Sequence, residues 1–371
     1  ELPMTWDEGN AIGRAEGIQN WAGRWMTLGD ESGEPGPFSQ AAIDEDWHYT
    51  TRIEGHPAFY GIVIAIGRRL SARFLSPLDS WRLGPVLLFG LASGAMFWRM
   101  AREYSPAAGL AAVAALLLLP RMFAHAHTAS FDGPLVACWI LAWATFSAAR
   151  QNWRLGLVWG IALGLTLSVK ATGWMAPLPF IAWTLIYLDR RAAKALAVGI
   201  PVALATFWIV NPPLWHEPVR SVATFLSLNL DRSQFNISTQ FLGRMYNLDY
   251  PLPWYNTLVW TGVTVPVGIL FLAGVGLIRV LRGWRREPLG TLLVANWLVL
   301  MIVRSLPGTP PHDGVRLFLP SFAFLAALAG VGVVGLLSAA MNFKSRRVVL
   351  IGVLLIYVVT AGNLCWYAPQ W

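Results

Sequence analysis

The sequence predicts an all-α, multi-span membrane protein with about ten transmembrane helices. Of its 371 residues, 56% are apolar and 13% are charged, about half the charged fraction of a typical soluble domain. Apolar stretches of about 20 residues, the length that crosses a bilayer as a helix, recur along most of the chain. The 20 tryptophans and 34 glycines agree, because tryptophan favours the membrane–water interface and glycine lets spans pack closely.

The apolar pattern divides the chain into five segments. Segment 1–56 is polar and is predicted to be an outer loop with a helix around 9–28. In 57–79 the pattern predicts a juxtamembrane helix. Because its Arg68, Arg69 and Arg73 would be costly at mid-bilayer, we expect this helix to lie at the membrane interface. Segments 80–210 and 255–371 hold the spans, and 211–254 is a second outer loop. The spans are predicted at 80–98, 105–120, 131–149, 154–170, 172–188, 194–210, 255–278, 288–305, 315–338 and 347–366. Because the chain starts inside a polar loop, we expect a further span before residue 1.

Every second loop between the predicted spans is basic, and such loops face the cytoplasm. They include Arg99 and Arg102, Arg150 and Arg154, and the run 279–286. The net charge of +8 follows from these loops, so no nucleic-acid partner is expected. The remaining loops, with all six histidines, face outward, which predicts an active site on the outer membrane face. From the composition we expect this membrane to be a bacterial plasma membrane.

Two adjacent carboxylates, Asp7 and Glu8, lie in the first outward-facing segment. A carboxylate at the membrane boundary can accept a proton from a hydroxyl group, and Glu8 with His56 can help to hold a divalent cation. The alternative is a solvated acidic pair with no chemical role.

Three outward-facing residues suit an anion. Lys170 is one of only three lysines and can bind phosphate as a point charge, whereas the planar fork of Arg316 suits a phosphodiester; His312 can assist. The alternative is that Lys170 snorkels from a span end and that Arg316 only anchors the ninth span.

Four more polar residues are candidates for shaping the site. His56 precedes Pro57 at the start of the interfacial helix. The alternative, equally weighted, is that His56-Pro57 only marks the start of that helix, with proline at the first helical position. His125 and His127 form a His-x-His pair without a clear third zinc ligand, and Asp132 begins a span, where it can cap the helix.

Both cysteines, Cys138 and Cys365, are expected to be buried thiols.

Five stretches carry a resemblance to the GT-C superfamily of membrane glycosyltransferases, near the family 39 protein O-mannosyltransferases and the aminoarabinose transferases of lipid A. They are Thr5-Trp6-Asp7-Glu8, Glu54-Gly55-His56-Pro57-Ala58-Phe59-Tyr60, Ser130-Phe131-Asp132-Gly133-Pro134-Leu135, Lys170-Ala171-Thr172-Gly173 and Arg316-Leu317-Phe318-Leu319-Pro320. The second departs from the family's pattern, since Ala58-Phe59 replaces Pro-Leu, and we expect no soluble C-terminal domain after the last span.

The resemblance implies inverting transfer of a hexose or pentose from a polyprenyl- or dolichyl-phosphate donor to the hydroxyl of a protein, lipid or glycan. We expect Asp7 to be the general base, with Glu8 supporting it or holding a divalent metal ion. Lys170, Arg316 and His312 would bind the donor phosphate. His56, Asp132, His125 and His127 would shape the site. The alternative is a transporter or flippase that captures an anionic lipid with the same cations.

Overall fold

The structure, a computed structural model, describes residues 4–26, 35–50, 56–230 and 237–367. These ranges are almost wholly α-helical, with sixteen helices and a single β-hairpin in the described part of the chain, which confirms the predicted all-α membrane fold. The chain forms two compact units: Glu1–Gly90, Ala126–Trp174 and Lys194–Phe235 make the first, and Leu91–His125, Met175–Ala193 and Asn236–Trp371 make the second.

The first unit contains the predicted catalytic segment and a buried core helix. Its helices are α1 (Trp6–Met26), α2 (Gln40–Asp46), α3 (Phe59–Ser71), the first half of α4 (Pro77–Glu103), α7 (Asp132–Gln151), α8 (Gly156–Leu167), most of α10 (Arg190–Val210) and α11 (Pro218–Leu230). Most of α7 is buried, and α8 packs along it. Gly17 lets α1 approach α2 closely, because a Cβ there would collide with the Asp46 carbonyl oxygen.

The second unit is organised around a buried span. Besides the end of α4, it contains α5 (Pro106–Leu118), α6 (Pro120–Ala126), α9 (Pro177–Tyr187), α12 (Asn256–Thr264), α13 (Val267–Arg282), α14 (Pro288–Arg304), α15 (Leu319–Ala339) and α16 (Phe343–Tyr367). Gly276 of α13 and Gly332 of α15 bring these two helices into backbone contact. Helix α16 is apolar and almost wholly exposed, as expected for a surface that faces lipid.

Each predicted span coincides with helical structure, but their lengths differ from the prediction. Within the described ranges, five helical segments are long and apolar enough to cross a membrane, and α5 with α6, which bend by 78° at Leu119, would make a sixth. The span predicted at 255–278 is wrong as a single helix. It breaks at Val265 and Pro266, because proline has no backbone N–H to donate and disfavours a helical residue before it.

The polar segments contain more structure than the sequence indicated. Helix α1 begins at Trp6, three residues before its predicted start. In 211–254 the structure has α11 and a hairpin of β1 (Thr239–Phe241) and β2 (Arg244–Tyr246), with Thr239 opposite Tyr246. Leu242 and Gly243 join the strands, both with positive φ, as a two-residue hairpin turn of the primed type requires.

Two expectations about individual residues have different outcomes. Cys138 is buried as predicted, whereas Cys365 is exposed, because it lies on the outer helix α16. Arg68 of α3 donates a 2.6 Å hydrogen bond to Ser80 Oγ and lies 5.2 Å from the centre of the Trp81 ring. The interfacial position of α3 stays a prediction.

Candidate active site

Glu8 is fully buried in the first unit and is held by an arginine from α4. Arg82 donates from Nε to Glu8 Oε1 at 2.7 Å and from Nη2 to Oε2 at 2.8 Å. Such a two-point contact fixes a carboxylate in orientation as well as in position. The backbone N–H of Ala129 donates to Oε1 at 2.8 Å, and that of Thr5 donates to Oε2 at 2.9 Å.

The contact between Thr5 and Glu8 also begins α1. A side chain at the third helical position that returns to the N–H of the capping residue is half of a capping box, and Thr-x-x-Glu is its sequence signature. This signal predicts a helix from Trp6 and was missed in the sequence analysis. Asp7 and Glu8 therefore lie in the first turn of a helix rather than in a turn before it.

The contacts of Glu8 determine its protonation. Burial alone would raise its pKa, but the hydrogen bonds from Arg82 and from the backbones of Thr5 and Ala129, with the charge of Arg82, together lower the pKa below its ordinary value. Glu8 is therefore ionised at neutral pH and serves as a fixed anion rather than as a proton acceptor.

Asp7 is placed differently from its neighbour. It is half-buried in the first turn of α1, where the positive end of the helix dipole stabilises a carboxylate. Successive helical residues point about 100° apart, so Asp7 lies on a different side of α1 from Glu8. Of the two acids, Asp7 is the one that solvent or a substrate can reach.

Lys170 and Asp132 form a second buried pair in the same unit. Lys170 Nζ lies 3.2 Å from Asp132 Oδ1 and 4.2 Å from the centre of the Phe131 ring. The His56 ring meets the same phenyl ring edge-on, with the ring centres 5.1 Å apart. Asp132 is the first residue of α7 and Phe131 occupies the capping position, so the capping role weighed for Asp132 is not seen.

One short loop connects the two charged pairs. Ala129 donates its N–H to Glu8, and Asp132 pairs with Lys170. Asp132 is three positions after Ala129, and three steps along the chain extend at most about 11 Å. The structure thus brings together Glu8, His56, Asp132 and Lys170, which are scattered along the sequence.

Two residues that the sequence analysis missed hold this arrangement. Arg14 of α1 donates to the His56 carbonyl oxygen at 2.9 Å. Asn211, buried at the end of α10, accepts from the Ala58 N–H at 2.8 Å and donates to Ser168 Oγ at 3.3 Å. The segment that carries His56 is thereby joined to the turn that carries Lys170.

The turn after Lys170 depends on a glycine. Residues Ala171–Met175 form a 3-10 helix, and the N–H of Gly173 donates to the Lys170 carbonyl oxygen at 2.8 Å. A Cβ at Gly173 would collide with the Thr166 carbonyl oxygen. The glycine therefore allows the chain to fold back against the end of α8.

His312 and Arg316 lie in the second unit. Arg304 is buried there and donates to the carbonyl oxygens of Pro310, Pro311 and His312. The Asp313 carboxylate lies 3.9 Å from Arg316 Nη1. Arg316 is part of a 3-10 turn, Gly314–Phe318, that precedes α15. A phosphate shared by Arg316 and Lys170 stays a prediction.

The two remaining candidate histidines, His125 and His127, are divided between the units. His125 belongs to α6 in the second unit. His127 lies in the first unit and lines a cavity of about 230 Å³ with Asp79 and Arg82. The roles predicted for both histidines in shaping the site stay predictions.

The residues proposed to hold a metal ion do not fit one. Both oxygens of Glu8 accept from Arg82 and from backbone N–H groups, and the His56 ring packs against Phe131. Within the ranges that the structure describes, no three His, Cys, Asp or Glu side chains converge. The divalent metal stays a prediction that these contacts do not support, and we derive no step from it.

Comparison with known proteins supports the fold assignment. Residues 56–216 match the family model described as dolichyl-phosphate-mannose-protein mannosyltransferase; this range contains His56, Asp132 and Lys170. Among solved structures, ArnT from Cupriavidus metallidurans in the apo state is similar, with a TM-score of 0.63 and 16% identity over 94% of this chain and 58% of that one. The chain has the fold of the GT-C membrane glycosyltransferases.

A second structure of the same GT-C enzyme supports the fold assignment. ArnT from Cupriavidus metallidurans bound to undecaprenyl phosphate is similar with a TM-score of 0.61 and 18% identity, over 95% of this chain and 59% of that one. The chain thus spans less than two thirds of the length of the structures that it matches. No curated protein sequence matches the chain. The family match over 56–216 and the likeness to the two ArnT structures confirm the resemblance and the integral membrane location inferred from the sequence.

Proposed function

We propose that this protein is a glycosyltransferase that moves a sugar from a polyprenyl-phosphate donor to an acceptor hydroxyl at the outer membrane face, with inversion. The observation that carries the proposal is the loop 129–132, which contacts an ionised carboxylate at one end and a buried lysine at the other. The family match over 56–216 and the likeness to ArnT, a protein solved with undecaprenyl phosphate, support the donor class.

The proposed reaction needs a base and a cation at opposite ends of the transferred group. The acceptor oxygen attacks the anomeric carbon, and its proton passes to the Asp7 carboxylate. The bond from the anomeric carbon to the phosphate oxygen breaks, and its electron pair stays on the lipid phosphate. Fixed cations aimed at charge that grows in the transition state lower the barrier, and the buried Lys170 is the candidate for this role in the first unit.

Glu8 acts in this proposal through position rather than through proton transfer. Its carboxylate is committed to Arg82 and to two backbone N–H groups. These contacts fix the first turn of α1, and with it Asp7, against the loop that precedes α7. Glu8 is therefore a positioning residue for the base.

The proposal is tested with the purified full chain in liposomes and synthetic polyprenyl-phosphate hexoses and pentoses. Release of sugar-free polyprenyl phosphate in the presence of a membrane extract is followed by mass spectrometry. Asp7→Asn is expected to slow release by about 10²–10⁴-fold, the usual contribution of a general base. Glu16→Gln is the control, since Glu16 is an exposed acid on the same helix.

Three outcomes would contradict the proposal. Undiminished release in Asp7→Asn would contradict the role of Asp7 as the base. Absence of release with every donor would contradict transferase activity. Movement of the intact donor between leaflets without sugar loss would instead identify the flippase. Lipid that co-purifies with the protein, analysed by mass spectrometry, tests the donor class independently.

A further inference from the structure

A cavity of about 300 Å³ lies in the first unit, next to α2 and α11. Its wall includes Phe207, Asn211 and Phe225, and its rim includes Asp44, Glu217 and Arg220. The volume is at the lower end of the range of about 300–1,000 Å³ typical of small-molecule sites. It suits a single small ring rather than a lipid.

Two contacts place this cavity beside the Lys170 turn. Asn211 lines the cavity and donates to Ser168 Oγ, two residues before Lys170. Trp174, four residues after Lys170, meets Phe207 edge-on with ring centres 5.0 Å apart and lies 6.0 Å from Phe225. A ligand in the cavity is therefore next to the proposed phosphate site.

Two aromatic rings line part of the cavity. Phe207 is buried, and Phe225 lies 6.3 Å from it with the two rings tilted by 57°. The electron-rich faces of aromatic rings attract weakly positive hydrogens, such as the C–H groups on one face of a sugar ring. Trp174 supports both phenyl rings from behind.

The rim carries the polar groups. Gln40 Nε2 donates to Asp44 Oδ1 at 2.9 Å, and Glu217 and Arg220 form an exposed ion pair at 3.0 Å. Carboxylates and amides are acceptors that hydroxyl groups can use. With two acids and a single base among these lining residues, the rim does not favour an anion, so the phosphate itself belongs at Lys170.

We infer that this cavity binds a hydroxyl-rich sugar ring without an anionic group, stacked on Phe207 and Phe225 and hydrogen-bonded at its rim by Asp44 and Glu217. The inference deepens the proposed transferase and rests on it for its biological meaning. Binding of a free glycoside, however, does not require transfer, so the two proposals can fail separately.

The test is saturation-transfer NMR on the full chain in lauryldimethylamine oxide, a detergent that carries no sugar. The probes are methyl α-D-mannopyranoside and methyl β-L-arabinopyranoside. Ring protons of at least one probe should receive saturation from the wild type. Phe225→Ala is expected to weaken binding by about 2- to 10-fold, the size of one aromatic contact, while Leu226→Ala, an exposed position on the same helix, leaves it unchanged.

A second variant guards against misfolding. Glu217→Gln keeps the shape of an exposed side chain and should also weaken binding, since its amide is a poorer acceptor than a carboxylate. Absence of saturation transfer to both probes, or equal binding in wild type, Phe225→Ala and Glu217→Gln, would overturn the inference. Transfer activity with no glycoside binding would overturn it and leave the proposed function standing.

Competition tells which sugar the cavity takes. If it takes the donor's ring, synthetic polyprenyl-phosphate mannose displaces the glycoside, whereas undecaprenyl phosphate, which has no sugar, does not. If it takes the acceptor's ring, neither lipid displaces the glycoside. Displacement by undecaprenyl phosphate would show that lipid or phosphate occupies the cavity, against the inference.

Discussion

Arg82 and Glu8, 74 residues apart in the sequence, form a buried two-point ion pair. Removing one member of a buried pair leaves an uncompensated charge, which typically costs about 3–5 kcal/mol. Arg82→Met should therefore lower the free energy of unfolding by about that amount and reduce activity, since Asp7 loses its fixed neighbour. Thermal unfolding in detergent measures the change.

The surface pair of Arg24 with Glu45 is the matched control for this prediction. Glu45 is mostly exposed, and exposed pairs contribute about 0–1 kcal/mol, so Glu45→Gln should change the free energy of unfolding little. The double variant Glu8→Gln with Arg82→Met should recover part of the loss. Equal effects of Arg82→Met and Glu45→Gln would contradict the buried pair.

The lowered pKa of Glu8 predicts an acid limit to stability. Its pKa in the folded protein lies below the ordinary value of 4.5, so the unfolded chain takes up the proton first as the pH falls. The stabilisation is fully present above about pH 4.5 and is lost as the pH falls through the lower, folded pKa. A series of thermal midpoints between neutral and acid pH should show this loss, and Glu8→Gln should flatten that part of the curve.

Lys170 and Asp132 predict a coupled pair of substitutions. Lys170→Met should weaken donor binding by about 10-fold or more, the scale of one charge-assisted contact, and should destabilise the protein because Asp132 stays buried without its cation. Adding Asp132→Asn should restore stability without restoring donor affinity. Binding of the lipid phosphate, which is the part of the donor that Lys170 is proposed to contact, is measured by isothermal titration with undecaprenyl phosphate. Lys194→Met is the control, since Lys194 is exposed; a similar loss there would contradict a specific site.

Gly173 predicts a steric effect on the same turn. A methyl group in Gly173→Ala would collide with the Thr166 carbonyl oxygen, so the turn must shift, at a cost of about 1–3 kcal/mol. Unfolding midpoint and donor affinity should both fall. At Gly23, where a Cβ would meet nothing within 4 Å, substitution by alanine should instead be neutral or slightly stabilising. Unchanged donor affinity in Gly173→Ala would separate the turn from the phosphate site.

The helices were predictable because long apolar stretches leave few alternatives. Two local errors had visible signals: the Thr5-x-x-Glu8 pattern indicates a helix start, and Pro266 indicates a break. Arg82 had a signal too, since an arginine inside a predicted span usually has a partner and a function. Its partner could not be predicted, because the local sequence of α4 does not indicate which distant segment packs against it.

The candidate site was also predictable only in part. The sequence placed Asp7, Glu8, His56, Asp132 and Lys170 on one membrane face, as alternating basic loops require. It did not predict that Glu8 would be buried in an ion pair with Arg82 while Asp7 stays accessible. The two side chains are both carboxylates and are adjacent in the sequence, so only their three-dimensional surroundings distinguish them. Nor did it predict the aromatic cavity, whose walls come from separate segments. The two acids could be told apart only by their contacts.

The loop from Ala129 to Asp132 works as a spacer between opposite charges. Its length is fixed at both ends, by the hydrogen bond to Glu8 and by the ion pair with Lys170. An inserted or deleted residue here would break one contact in order to keep the other. We therefore expect related chains to vary freely in the length of the hairpin at 239–246 and to keep the same number of residues between these two anchor points.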